Sequence, residues 1–309
     1  MQIEFLSEDP LDKLIATFVT NQDKEATARQ KALNSIIVLL VSKKHTLLQV
    51  IELMGTYFVN SNEIYRGRAV LLLKEALDRV KNLQLDSQQF FTLYEFFTSK
   101  VKDLASTSEA LHGIYLLLEM NQRPQGKLYT DEEKLFSLFI DLLDSKQFHV
   151  PSYSQEVRYI AFKILTFFCQ NYPQLCKNNP SKFISIIINA TEEEKDPRCL
   201  LLTFGLIHFL LSNFSDVILK PFLPEIFDNL SCYFPISFTP PENDPYKITP
   251  EDLRRAHNRC LANKNFITDT LGLVFDKLTA SQKDTKLECL TTLKNVIEVF
   301  HLSLLCCHF

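Results

Sequence analysis

Helical periodicity runs through almost the whole chain, and it limits the possible folds more than any other feature of the sequence. Near the amino terminus, the apolar residues Leu11, Leu14, Ile15, Phe18 and Val19 occupy one face of a helix. The same pattern predicts further helices over residues 24–42, 44–60, 63–82, 86–101, 107–121, 130–145, 154–171, 180–190, 198–213, 218–231, 250–262, 264–278 and 282–300. Short polar connections between them predict antiparallel neighbours. The sequence therefore predicts an all-α fold.

The scarcity of glycine supports this prediction and excludes several kinds of chemistry. The 309 residues include 6 glycines, about 2% against a usual share of roughly 7%. Sheets and tight hairpins use glycine at positive φ, so its scarcity favours helices. No two glycines lie close enough to form a phosphate-binding loop, a dinucleotide fingerprint or a nucleophile elbow. The histidines also lack the spacing of a catalytic or metal-binding motif. We therefore expect no enzymatic activity and no cofactor.

Composition and charge indicate a soluble intracellular protein. The chain is 46% apolar and carries a formal net charge of −4, which predicts no general attraction to nucleic acids or anionic membranes. The amino terminus lacks a basic segment followed by an apolar one. The longest apolar stretch, residues 199–211, is too short to cross a bilayer.

The cysteines are best interpreted as reduced core residues. None of the 8 forms a C-x-x-C pair, and most lie within apolar helical patterns. Four possible ligands cluster near the carboxyl terminus, namely His301, Cys306, Cys307 and His308. Adjacent cysteines do not match the spacing of structural zinc sites, so we predict no metal site.

A weak internal repeat predicts how the helices are arranged. Helix starts share an arginine, often after an acidic residue and followed by small or apolar residues: Arg29, Arg66, Arg158, and Asp196 with Arg198. The intervals of 37 residues from Arg29 to Arg66 and 40 from Arg158 to Arg198 approach the length of a two-helix HEAT unit. Stacked pairs would share one core, with these polar residues in contact along the stack. Ordinary solvated charges at the helix ends remain the alternative. We expect residues 1–309 to form a single solenoid of the HEAT/armadillo type.

One segment, a proline-rich inter-helix loop at residues 232–249, departs from the helical pattern. Its prolines prevent a helix, while Thr249 and Pro250 begin a new one. The loop is too apolar for a free linker. It either folds back onto the solenoid or offers an aromatic contact surface to a partner, and the two can coexist. The candidate interaction residues are Tyr233, Phe234, Pro235, Phe238, Pro240, Pro241, Asp244, Pro245 and Tyr246.

Several unusual strings occur in the order found in one known family. They run from Glu194-Lys195-Asp196-Pro197-Arg198 through Cys232-Tyr233-Phe234-Pro235-Ile236 to Phe238-Thr239-Pro240-Pro241, Asn243-Asp244-Pro245 and Glu251-Asp252-Leu253. Lys286-Leu287-Glu288-Cys289-Leu290 continues the series. In these strings the chain resembles the MMS-nineteen family, HEAT scaffolds associated with nucleotide excision repair and transcription factor IIH. The resemblance is strong over residues 154–296.

The resemblance implies a scaffold that helps deliver iron–sulfur clusters to apoproteins of DNA metabolism and repair. It implies a WD-repeat β-propeller and a small adaptor as partners, in cytoplasm and nucleus. It implies neither a bound cluster nor catalytic residues in the scaffold itself. A generic HEAT adaptor for protein transport or complex assembly is the alternative, although such adaptors need no proline loop. We expect no small-molecule substrate and no direct contact with nucleic acid or membrane.

Overall fold

The computed structural model describes residues 10–21, 26–80, 83–122, 128–240, 242, 246–279 and 282–306, with the backbone alone for residues 26 and 299–306. Within these ranges the chain forms sixteen α-helices and no β-strand. The prediction of an all-α fold of stacked helical repeats is confirmed. None of the described helices is both long enough and apolar enough to span a membrane.

The chain divides into two compact units, residues 1–142 and 143–309, each of which is described by itself. Helices of unit 1 are α1 (Leu11–Thr20), α2 (Ala26–Val41), α3 (Leu47–Phe58), α4 (Glu63–Arg79), α5 (Ser87–Lys100), α6 (Thr107–Asn121) and α7 (Glu132–Asp144), whose last residues reach unit 2. The prediction that both units form one continuous solenoid stays a prediction.

Unit 2 contains two kinds of helix, long repeat helices and short connecting ones. They are α8 (Gln155–Asn171), α9 (Pro173–Cys176), α10 (Pro180–Thr191), α11 (Pro197–Asn213), α12 (Asp216–Leu219), α13 (Leu223–Ser231), α14 (Pro250–Leu261), α15 (Ile267–Leu278) and α16 (Lys283–Cys306). Turns of 3₁₀ helix cover Val150–Ser152 and Lys264–Phe266.

The sequence pattern predicts one helix in a region where the structure has two. Residues 218–231 were expected to form one helix, but α12 ends at Leu219 and α13 begins at Leu223. Pro221 lies between them and has no backbone N–H for a helical hydrogen bond. The helix predicted over residues 264–278 likewise starts with a 3₁₀ turn before α15.

In unit 1, successive helix pairs pack through their second helices. Helix α4 packs against α6, while α3 and α5 pack on α4 and α6 respectively. At Gly67 on α4 the chain approaches the turn before α6 so closely that an added Cβ would meet the carbonyl oxygen of Ala105. Arg68, which is 9% exposed, donates to the carbonyl oxygens of Val19 and Asn21 at the end of α1.

In unit 2, four long helices form the corresponding layer. Helix α11 packs against α8 on one side and α14 on the other, and α14 packs against α16. Phenylalanine fills much of this core, including the buried Phe162, Phe168, Phe183, Phe204 and Phe266. Because one helix pair cannot bury its apolar face alone, this stacking supplies the shared core expected of repeats.

Candidate protein-interaction surface

Bidentate arginine–carboxylate pairs connect successive helix pairs in both units. In unit 1, Arg66 near the start of α4 donates from Nε and Nη2 to the carboxylate of Asp103, at 2.7 and 3.1 Å. In unit 2, Arg158 on α8 makes the same contact with Glu194, at 2.7 and 2.9 Å. Each carboxylate lies in the turn before the next long helix. The pairs therefore join neighbouring repeats, although neither carboxylate is among the predicted repeat positions.

Each of these arginines also binds the turn that precedes its own helix. Arg66 donates to the carbonyl oxygens of Asn60 and Ser61, and Arg158 donates to that of Tyr153. The hydrogen bond from Arg66 lowers the pKa of Asp103, with burial opposing. The hydrogen bond to Glu194 similarly raises the pKa of Arg158. One side chain thus fixes two inter-helix turns.

A third pair links the proline-rich loop to the last two long helices. Glu288 on α16 is 4% exposed and accepts hydrogen bonds from Arg254 Nε at 3.1 Å and from the backbone N–H of Ile236 at 2.9 Å. Burial raises the pKa of Glu288, although these contacts oppose the change. This carboxylate holds the loop against α14 and α16.

The remaining predicted repeat positions have other surroundings. Asp196 caps α11 by accepting from the backbone N–H of Arg198, and it also pairs with the guanidinium of Arg198 at 2.8–2.9 Å. This contact lies within one turn, so it does not extend the connections between repeats. Arg29 lies on α2 and is half-buried.

The amino-terminal half of the proline-rich loop folds back onto unit 2. Phe234 is 5% exposed, and Pro235, joined to it by a cis peptide bond, is half-buried. The hydroxyl of Tyr233 donates to the backbone oxygen of Glu194 at 2.8 Å. Tyr233 and Phe234 both lie against the imidazole of His257. Phe234 is therefore part of the unit 2 core, and the half-buried Tyr233 packs at its edge.

The loop returns to the surface farther along the chain. Phe238 is half-buried, whereas Pro240 is exposed. Tyr246 is 51% exposed, with the guanidinium of Arg198 4.7 Å from its ring centre and Tyr159 packed edge-on at 6.3 Å. The predicted interaction residues Pro241, Asp244 and Pro245 lie outside the described residues. The structure thus shows fold-back for the first half of the loop and leaves Pro240 and Tyr246 accessible to a partner.

His257 is the buried centre of this packing. Its Nε2 lies 2.9 Å from the backbone oxygen of Leu230, so the neutral ring donates there. The side chain is fully buried. Burial lowers the pKa of His257 to about 4, with the contact to Leu230 opposing the change. The loop therefore packs against an imidazole that stays neutral at physiological pH.

An open groove of about 660 Å³ lies between α11, α14 and α16. Its lining carries charges of both signs and several amides, including Arg255, Arg259, Glu298, Asn258 and Asn295. Such a mixture suits the polar surface of a protein better than a phosphate backbone, which requires a predominance of basic groups.

The sequence pattern did not identify the acidic residues that bind these arginines across the repeats. Asp103 follows Arg66 by 37 residues, Glu194 follows Arg158 by 36, and Glu288 follows Arg254 by 34. An acidic residue about one repeat length after a helix-start arginine was the signal that could have found them.

The cysteines form no disulfide among the described residues. Cys169, Cys176, Cys199, Cys260 and Cys289 are buried, as expected of core cysteines, while Cys232 is exposed. The described part of the chain contains no group of three or more histidine, cysteine, aspartate or glutamate side chains that could hold a metal ion. Side chains of His301, Cys306, Cys307 and His308 lie outside that part.

Comparison with known proteins identifies related sequences over most of the chain. A family model described as "Dos2-interacting transcription regulator of RNA-Pol-II" matches residues 51–309. A DNA repair/transcription protein of Saccharomyces cerevisiae that also bears the name MMS19 is 30% identical over 302 residues, which cover 96% of this chain and 28% of the yeast protein.

The MMS19 nucleotide excision repair protein homologues of Dictyostelium discoideum and Homo sapiens are each 31% identical to this chain. The matches cover 92% and 93% of this chain, and 24% and 26% of those proteins. The chain therefore spans about a quarter of the length of the curated relatives it matches.

Proposed function

Because this chain belongs to the MMS19 family of DNA repair and transcription proteins, we propose that it is a non-catalytic scaffold of cytosolic iron–sulfur protein assembly. In this function it helps to deliver clusters to apoproteins of DNA metabolism and repair. The cluster is the cargo of the assembly machinery, and the chain contributes a binding surface.

The match of the family to residues 51–309 is the observation that carries the proposal. It includes the whole of unit 2, with the proline-rich loop and the arginine–carboxylate pairs, and most of unit 1. Stacked helices offer a protein partner a long surface whose shape is set by packing. A stable contact would bury about 1,200–2,000 Å² in total.

The proposed partners are a WD-repeat β-propeller, a small adaptor protein and apoprotein clients, in cytoplasm and nucleus. The accessible part of the proline-rich loop and the groove between α11, α14 and α16 are the proposed contact regions in unit 2. The loop presents the ring of Tyr246, and the groove presents charged and amide groups, which suit the polar rim of a protein interface.

Affinity purification of the tagged chain from cell extract, followed by mass spectrometry, tests this function. The proposal predicts recovery of iron–sulfur apoproteins or of the cluster-assembly proteins. Parallel purification of a Tyr246→Ala variant tests the loop, because Tyr246 is half-exposed and its loss leaves Phe234 and His257 packed. A partner set made of nuclear-import clients without any iron–sulfur protein would favour a generic HEAT adaptor and contradict the proposal.

A further inference from the structure

Unit 1 has an apolar groove of about 690 Å³ between helices α3 and α5. These first helices of neighbouring pairs touch at their carboxyl-terminal ends. There the rings of Phe58 and Phe96 pack edge-on at 4.7 Å, and Lys100 donates to the backbone oxygen of Phe58 at 2.8 Å. Toward their amino-terminal ends the two helices leave an open wedge, which we call the α3–α5 wedge.

The floor and walls of the wedge are mostly leucine. Buried floor residues come from α2, α4 and the segment before α5, whereas Leu48 on α3 is 54% exposed and Ile51 and Phe96 are half-buried. The set that lines the wedge with apolar atoms is Leu40, Leu47, Leu48, Ile51, Phe58, Leu73, Val80, Leu83, Leu85, Leu93 and Phe96. A groove of this size and composition falls in the range of ligand-binding clefts.

Positive charge surrounds the mouth of the wedge, from basic side chains and from the amino-terminal ends of two helices. Lys43 and His45 line it, and Lys44 lies next to them. Neither lysine has an ion pair among the described residues. The amino-terminal ends of α3 and α5, with their partial positive charge, also face this region. Asp86 is the acidic group in the lining, and its carboxylate already accepts the backbone N–H of Gln89 at 2.8 Å.

Lys43 occupies a backbone conformation that favours glycine. It follows α2 with φ 57°. Its N–H donates to Leu40, and the N–H of Lys44 donates to Leu39, at 3.1 and 3.0 Å. This is the hydrogen-bond pattern of a Schellman helix end, where glycine is the usual residue. A lysine is therefore held at the mouth of the wedge at some cost in backbone strain, which is common at functional positions.

The walls of the wedge also restrict the conformation of an occupant. Both walls are helices whose backbone groups are bonded within each helix beyond the first turn, and the capping boxes of Thr46 and Asp86 bind part of the first turn. An extended peptide would find no row of free backbone partners there, whereas a helix satisfies its own backbone and can insert apolar side chains.

We propose that the α3–α5 wedge is a docking site for an amphipathic helix of a partner protein, with acidic side chains next to its apolar stripe at the Lys43 end. Apolar side chains of that helix fill the wedge beside Leu48 and Ile51, and its carboxylates pair with Lys43 and Lys44. The site lies outside the surfaces proposed for cluster assembly, so this inference stands or falls independently of that function.

Selection from a phage-displayed library of random 16-residue peptides tests the proposal with the intact chain. The proposal predicts peptides with apolar residues at helical spacing and an excess of aspartate and glutamate beside them. Leu48→Ser should weaken binding of the selected peptides about tenfold or more, because a buried leucine contact is lost. Leu53→Ser is the matched control, since Leu53 is an exposed leucine of the same helix outside the wedge. This substitution should change binding less than about twofold.

The contribution of charge is tested at Lys43. Lys43→Gly should reduce affinity about two- to fivefold, the range expected for one exposed ion pair, while the Tm stays equal or rises because glycine relieves the strained φ. Lys43→Arg should keep the preference for acidic peptides. Failure to select any peptide, selection without an acidic preference, or equal effects of Leu48→Ser and Leu53→Ser would overturn the proposal. Peptides that match stretches of this chain would also overturn it, in favour of a contact between copies.

Discussion

Both units contain an arginine–carboxylate pair that connects neighbouring helix pairs, but the carboxylate is more deeply buried in unit 2 than in unit 1. In unit 1, the side chain of Asp103 is 22% exposed beside Arg66, whereas in unit 2 the side chain of Glu194 is 1% exposed beside Arg158. In unit 2 the proline-rich loop also contacts this turn, since Tyr233 donates to the backbone oxygen of Glu194. The polar connection of unit 2 is thus buried beside the proline-rich loop, while unit 1 has an open wedge between neighbouring helices.

The largest expected effect is loss of the buried pair in unit 2. Arg158→Ala should lower the free energy of unfolding by about 3–5 kcal/mol, because it leaves the carboxylate of Glu194 buried without its charged partner, bound only by the backbone N–H groups of Lys195 and Asp196. Arg66→Ala should cause a much smaller loss, since water reaches Asp103. Urea unfolding of both variants measures the difference. Equal losses would show that burial does not distinguish the two pairs.

Acid should destabilise unit 2 through His257. Its pKa is about 4 in the folded chain, against about 6.5 when unfolded. The unfolded state therefore binds a proton first, and stability falls as pH decreases from about 6.5 to 4, by a total on the order of 3 kcal/mol. Burial also lowers the pKa of His208, which acts in the same direction. The raised pKa of Glu288 acts in the opposite direction.

A His257→Gln variant separates this effect from general acid denaturation. Glutamine can still donate to the carbonyl oxygen of Leu230 but does not titrate. Thermal unfolding between about pH 7.5 and 3.5, which brackets the two pKa values, should show a flatter pH dependence for the variant than for the parent chain. Identical slopes would assign the acid sensitivity to other groups.

A substitution at Gly67 tests the close packing of unit 1. Gly67→Ala should destabilise the chain by about 1–3 kcal/mol, because the new Cβ meets the backbone oxygen of Ala105, which cannot move aside like a flexible side chain. Gly205→Ala in α11 of unit 2 is the matched control. It has no neighbouring atom within 4 Å and should stabilise its helix by about 0.5–1 kcal/mol. Calorimetry should show a lower stability for Gly67→Ala and a higher stability for Gly205→Ala than for the parent chain. Destabilisation by Gly205→Ala would contradict the open surroundings of Gly205.

The smallest expected effect concerns the accessible end of the loop. Tyr246→Ala removes the aromatic face beneath Arg198 and should cost about 0.5–1 kcal/mol, the usual range for an exposed cation–π contact. Urea unfolding checks this value. A loss comparable with that of Arg158→Ala would mean that Tyr246 is as important to the fold as the buried pair.

The helices and the departure at the proline-rich loop could be predicted from the sequence because both depend on local patterns. Apolar spacing located nearly every long helix, and the prolines between Phe234 and Tyr246 marked the loop. The break at Pro221 was missed because apolar periodicity continues across it. The partners of Arg66 and Arg158 were missed because their carboxylates lie 36–37 residues away, a distance that only the stacking of repeats brings together.

The α3–α5 wedge could not be predicted for a related reason. Its leucines read as ordinary core positions, and local spacing does not show that two neighbouring helices separate at one end. Lys43 gives no signal either, because its left-handed backbone becomes evident only from the observed helix end.

Binding of the purified chain to one DNA helicase that carries an iron–sulfur cluster, compared in its apo and cluster-loaded forms, tests the scaffold function most directly. Calorimetric titration under anaerobic conditions gives both affinities. A scaffold that helps to deliver clusters should bind the apo form more tightly than the loaded form. Equal affinity for both forms, or no binding of either, would contradict the proposed function.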